Sequence, residues 1–262
     1  MFGSYIAIGD SFTEGLGDER SDGTLRGWSD LLAEGLAEAH ASVRGAGDPA
    51  FRYANLAIRG RKIEAIIAEQ IEPALRQQPD LVSFNAGGNN MLRPKFSAEE
   101  ALAESLGAVE QLVAGGSHVL LLAGPDPVNN LPLGKVFSER GARYTALTRE
   151  ETRGMAGVTF VDNFSDRAFE DSTYWSEDGL HLSSAGHLRV AANCLQALDV
   201  QFPADWDDPW DPKPDRKNYR SARYLGTHVA PWIGRRLTGR SSGDGRSAKR
   251  PLLTEVEVQR KD

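Results

Sequence analysis

Hydrophobic and polar positions over the first 200 residues alternate between two rhythms. Short apolar runs rich in β-branched and aromatic residues occupy 5–8, 53–57, 81–85, 119–123 and 158–161, and each predicts a strand. Between them apolar residues recur at three and four. Trp28, Leu31, Leu32, Gly35 and Leu36 form one such series, and Ile63, Ile66, Ile67, Ile71 and Leu75 a second. Ala101, Leu102, Ser105, Leu106, Val109, Leu112 and Val113 form a third, opened by a capping box of Ser97 and Glu100. Val190, Ala191, Cys194, Leu195 and Leu198 give a last helix. Strands that alternate with helices of this length imply crossover units, hence an α/β fold with a five-stranded parallel sheet and helices on both faces. No segment repeats at a fixed period.

The pattern changes near Pro203. Residues 1–202 hold 17 Lys or Arg against 28 Asp or Glu, whereas 203–262 hold 13 against 9. The chain therefore divides into an acidic body, 1–202, and a Pro/Trp linker with a basic tail, 203–262. Proline density over 205–215 rules out a regular helix there. Tyr219, Tyr224, Leu225, Val229, Trp232, Ile233 and Leu237 then recur at roughly helical spacing among Arg residues. Two readings of the tail stand open. It contacts an anionic membrane or other acidic partner, or it folds back onto the acidic body and ends in a mobile stretch over 241–249.

Composition adds limits. A chain of 262 residues, 40% apolar, buries enough surface to fold without disulfides or metal. The single cysteine, Cys194, excludes an internal disulfide framework and a Cys-only metal cluster. The net charge of −7 argues against a nucleic-acid binder. No apolar stretch approaches the ~18 residues of a membrane span. The N-terminus lacks a basic region before its apolar run, so no secretory signal is expected and a cytoplasmic location is.

In a parallel sheet, ligands bind beyond the carboxyl ends of the strands, so the residues just after each run carry the chemistry. Gly9-Asp10-Ser11 follows the first run. A Ser in a Gly-flanked turn at a strand end presents its hydroxyl as a nucleophile, or else the turn simply caps the next helix. Asp178 stands three residues before His181. One side of a turn then holds both, and the carboxylate fixes the imidazole tautomer so that the other nitrogen takes a proton. His187, six residues on, reads as decoration on a helix face. Gly87-Gly88-Asn89-Asn90 follows the third run, where an Asn amide suits a developing oxyanion. Gly60, after the second run, offers a backbone N–H. Nucleophile, base, orienter and oxyanion donors make the parts list of acyl transfer. The mid-chain Gly-x-Ser-x-Gly elbow of the alpha/beta-hydrolases is absent, since this Ser lies at the start.

By the order and spacing of these blocks, residues 4–200 resemble the SGNH (GDSL) esterase/lipase superfamily. Gly9-Asp10-Ser11 matches its first block, with Phe12 where Leu is usual, and Gly60 its second. Gly87-Gly88-Asn89 matches its third, with Asn90 where Asp is usual, and Asp178 with His181 its last. The resemblance implies a flavodoxin-like three-layer sandwich and hydrolysis of a small-molecule ester without cofactor or metal. It implies a catalytic triad of Ser11, His181 and Asp178, with oxyanion donors at Ser11, Gly60 and Asn89. An acyltransferase or a non-catalytic binding module on the same fold are the alternatives. Acyl chain, alcohol and oligomeric state are not encoded in any motif.

Overall fold

The computed structural model describes residues 1–45, 47–130, 134–202 and 241–257. Five parallel strands stand in the order β5-β4-β3-β1-β2, with ranges β1 Ser4–Ile8, β2 Arg52–Asn55, β3 Leu81–Phe84, β4 His118–Ala123 and β5 Val158–Asp162. This is the flavodoxin-like order, in which the chain reverses direction across the sheet between β1 and β3. The crevice at that reversal opens beside the residues that follow β1 and β3.

Alternation along the buried strands splits the core into two layers, because successive side chains leave opposite faces. Tyr5 and Ala7 of β1, with Leu120 and Leu122 of β4, pack against α2 (Trp28–Val43) and α8 (Ser184–Ala197). Ile6 and Ile8, with Val82, Phe84, Val119 and Leu121, pack on the other side. There they meet α3 (Ile63–Ile66), α4 (Glu72–Leu75) and α6 (Ala98–Ala114). A π-helical turn, Ile67–Ile71, joins α3 to α4. Two single-turn helices sit at the crevice, α1 (Ser11–Glu14) and α5 (Gly88–Met91). The expected capping box is half realised: Ser97 Oγ accepts from Glu100 N–H.

One helix, α7 (Gly134–Glu151), does not show in the hydrophobic pattern. It buries Gly134, Gly141, Tyr144, Thr145 and Thr148 rather than aliphatic residues. Gly141 lies so close to the ring of Phe164 that a Cβ would reach within 2.4 Å of it. Close approach through small residues leaves no apolar periodicity to read.

The expected five strands gain a sixth. β6 (Arg250–Glu255) pairs antiparallel with β2 at the edge of the sheet. Residues 241–249, expected as a mobile end, instead make defined contacts with the body: Lys249 donates to Asp30 and Asp244 pairs with Arg61. β6 escaped notice because it carries Pro251 and alternates weakly, as edge strands do. The linker and helical segment expected over 203–240 lie outside the described residues. Among the described residues no helix is long and apolar enough to cross a membrane.

Candidate active site

The crevice is built from the end of β1 outward. Gln70, in the π-helical turn, is buried and grips Gly9 twice: its Oε1 accepts from the Gly9 N–H at 2.8 Å and its Nε2 donates to the Gly9 carbonyl at 2.9 Å. A Cβ on Gly9 would lie 2.9 Å from the Asn85 carbonyl, so only glycine lets β1 and β3 close here. The chain then turns. Asp10 Oδ1 accepts from Phe12 N–H at 3.1 Å and caps α1, which leaves Ser11 as the first helical residue. The capping reading of this turn therefore falls on Asp10, and Ser11, the expected nucleophile, stands next to it. Ser11 N–H, at a helix start, has no intrahelical partner.

His181, the expected base, stands in a turn after β5 closed by a bridge between Trp175 and Leu182. Asp178 Oδ1 accepts from the N–H groups of Leu180 and His181 at 3.0 and 2.9 Å, and from Ser176 Oγ at 2.7 Å. Its Oδ2 lies 2.6 Å from His181 Nδ1. Burial pulls this carboxyl upward, but the His181 hydrogen bonds and charge, with Ser176, outweigh it and hold Asp178 well below the usual carboxylate range. Asp178 is thus ionised and accepts from Nδ1–H. That leaves His181 Nε2 as the acceptor facing Ser11 Oγ at 3.0 Å. The three residues expected to act together stand in hydrogen-bond contact.

The oxyanion side is less direct. Asn89 lines the crevice, but its Nδ2 already donates to Asp10 Oδ2 at 2.8 Å and to the Arg61 carbonyl at 3.0 Å. Burial pushes the Asp10 carboxyl up to about 6, against the hydrogen bonds from Phe12 and Asn89 and the charge of His181. Gly60 does not line the crevice. It sits one residue before Arg61, at a φ of +74° that favours glycine. The loop it belongs to is anchored by Glu14, the last residue of α1, whose carboxylate accepts from Arg59 N–H at 2.7 Å and Arg59 Nε at 2.9 Å. Asn90 supports the loop as well: its Oδ1 accepts from Ile63 N–H at the start of α3 and its Nδ2 donates to Glu64. Asn in place of Asp keeps a structural tie here.

His187 is not surface decoration. It is fully buried, with Nδ1 accepting from Trp28 N–H at 3.1 Å and Nε2 donating to the Leu16 carbonyl at 3.0 Å. Both nitrogens are matched to the neutral tautomer, and burial pushes its pKa down to about 4. Gln70, Glu14 and Arg59 are site-building residues that no motif announced. A buried Gln in a helix and a Glu at a turn end read as ordinary polar positions until the partner is known.

The crevice is open to solvent and has a cavity volume of about 110 Å³. Its walls are largely apolar, with Phe12, Met91, Leu92, Phe137, Phe164 and Leu180 beside Tyr144, Trp175, Pro125 and Pro127, while Asp10, Asn85, Asn89 and Thr145 add polar groups to those of Ser11 and His181. Among the described residues no Lys, Arg or Glu lines it. Among the described residues no group of three or more His, Cys, Asp or Glu is placed to hold a metal ion.

A flavodoxin-like sheet thus carries Ser11, His181 and Asp178 in contact at its switch point. The model of the GDSL-like lipase/acylhydrolase family matches residues 7–189, and the chain belongs to that family, one of carboxylic ester hydrolases. No curated protein matches the sequence. Among solved structures, Axe2, an acetylxylan esterase from Geobacillus stearothermophilus, is similar at 20% identity and a TM-score of 0.58. That match covers 76% of this chain and 95% of Axe2. A structure of TesA is similar at 23% identity and a TM-score of 0.56, covering 74% of this chain and 97% of TesA. At these identities the likeness speaks to the fold.

Proposed function

We propose that this enzyme hydrolyses carboxylic esters with an apolar acyl group, longer than acetyl, through an acyl-enzyme on Ser11. The observation that carries the reading is the unbroken chain Ser11 Oγ, His181 Nε2, His181 Nδ1, Asp178 Oδ2, at 3.0 and 2.6 Å, opening into a crevice walled by aromatic and aliphatic side chains. His181 takes the Ser11 proton as Oγ attacks the ester carbonyl, and the Asp178 carboxylate stabilises the imidazolium. The charge on the former carbonyl oxygen is met by Ser11 N–H, with Asn89 Nδ2 as a further donor; Gly60 N–H, outside the crevice lining, joins them only if its loop turns inward when substrate binds. For Asn89 to serve, one amide hydrogen must be shared with, or released by, Asp10 or Arg61. His181 then returns the proton to the leaving alcohol, and water, deprotonated by His181, cleaves the acyl-enzyme.

The walls favour an acyl chain over a charged or heavily hydroxylated group. Each methylene buried against the apolar walls contributes about 0.8 kcal/mol. A panel of p-nitrophenyl esters of rising chain length tests this, with a fluorophosphonate probe read on wild type and Ser11→Ala. Labelling of wild type only, with kcat/KM rising beyond acetate, is expected. Labelling of Ser11→Ala overturns the nucleophile, and a preference for acetate overturns the substrate class.

A further inference from the structure

The segment 241–257 contributes nothing to the crevice wall, yet it touches both halves of the catalytic loop system from behind. Lys249 is the first contact. Its Nζ donates to the carbonyls of Glu14 and Arg26 at 2.7 and 2.6 Å and to Asp30 Oδ2 at 2.5 Å, which uses all three ammonium hydrogens. Both Lys249 and Asp30 side chains are about four-fifths buried. The Glu14 carbonyl is the end of α1, the turn that begins with Ser11. A helix this short satisfies few of its own carbonyls. Thr13 O is held by Ser29 Oγ and Asn55 Nδ2, and Glu14 O by Lys249.

The second contact is the turn at Ser241–Asp244. It lies against Arg59 and Gly60. A Cβ on Gly60 would come within 2.4 Å of Ser241 Oγ, and one on Gly243 within 2.1 Å of the Arg59 carbonyl. Asp244 also pairs with Arg61 at 3.7 Å. Glu14 joins the two contacts, since its carbonyl meets Lys249 while its carboxylate holds Arg59. One stretch of chain, 235 residues from Glu14 and about 180 from Gly60 in sequence, thus braces the end of the nucleophile turn and the back of the Gly60 loop together.

We propose that Lys249 is a positioning residue of the active site, fixing α1 from its far end while the Ser241–Asp244 turn seats the Gly60 loop, so that Ser11 and the backbone donors keep their spacing. The inference rests on the serine esterase reading. It assigns to this segment a part in transition-state stabilisation, with no part in binding the acyl chain.

The test uses the full-length chain with Lys249→Met and, separately, Gly243→Ala. The second variant pushes on the Arg59 carbonyl without touching Lys249, and it reads the proposal even where the first fails to fold. Each is assayed well below its own melting temperature with a soluble ester, together with the inhibition constant of an alkyl boronic acid, which forms a tetrahedral adduct on the serine. The expected result is kcat lowered about tenfold for Lys249→Met and severalfold for Gly243→Ala. KM stays within twofold, and boronate affinity weakens by about the same factor as kcat. Variants that melt earlier but keep kcat and boronate affinity overturn the positioning role and leave a structural strap. A rise in KM alone overturns it in favour of substrate binding. Failure of the wild type to label at Ser11 overturns the esterase reading and the proposal with it, a result distinct from the other two.

Discussion

The two sides of the crevice are assembled on different principles. On the base side, Asp178 and His181 are three residues apart, and the turn between them makes its own hydrogen bonds to the carboxylate. On the oxyanion side, Asp10 and Glu14 of one turn, Arg59, Asn89 and Lys249 come from four places in the chain and hold one another. Local chemistry is preformed by a short peptide. Distributed chemistry is only as exact as the packing that brings it together, so distant substitutions reach it.

The largest expected effect lies on the local side. His181→Ala removes the base outright, and kcat is expected to fall on the order of 10⁶ with the fold unchanged. Steady-state kinetics beside a melting curve checks this; retention of activity would return the base role to another group and dissolve the contrast. Next is Asn89→Ala, expected to cost ~10²–10³ in kcat if its amide reaches the oxyanion. A loss below tenfold would mean that Asp10 and Arg61 keep the amide, and that backbone donors carry the oxyanion. Third comes Glu14→Gln, which leaves Arg59 half-buried without its carboxylate. Breaking such a pair costs roughly 3 kcal/mol, read by denaturant unfolding, and kcat is expected to fall with KM little changed. An unaltered kcat would separate the loop anchor from catalysis.

The smallest effect appears only in acid. His187 is buried neutral, with its pKa pushed down to about 4, so the unfolded chain takes up a proton near 6.5 that the folded chain refuses. The stability it confers is present above about 6.5 and is lost as pH falls toward 4, by on the order of 3 kcal/mol. Asp10, pushed up to about 6, runs the other way over part of that range. The measure is therefore the difference between wild type and His187→Gln in unfolding free energy from pH 7 to 4. A difference independent of pH would show that the buried imidazole is not held neutral.

The same contrast governs what a sequence reveals. The five parallel strands were legible because buried strands are continuous apolar runs, and Ser11, Asp178 and His181 because each stands just beyond one or in a compact turn. α7 was not, since it packs through Gly141 and Thr145 rather than an aliphatic stripe. Gln70, Glu14 and Lys249 were not, because a polar residue that binds a distant backbone has no periodic or local signal. His187 was misread for the same reason: its partners, Trp28 N–H and the Leu16 carbonyl, are far off in the chain.

The pairing of β6 with β2 also sets an order in time. Arg250 meets Asn55 across 195 residues of intervening chain. At roughly 5–20 residues per second, a ribosome needs on the order of 10–40 s to supply the partner after β2 has emerged. Until then the outer edge of β2 presents unpaired N–H and C=O groups, a template for any extended segment nearby. In a nascent chain every residue of the parallel core and of the Ser11–His181–Asp178 contact has been synthesised while that edge still stands open. The strand that closes it arrives directly behind Lys249.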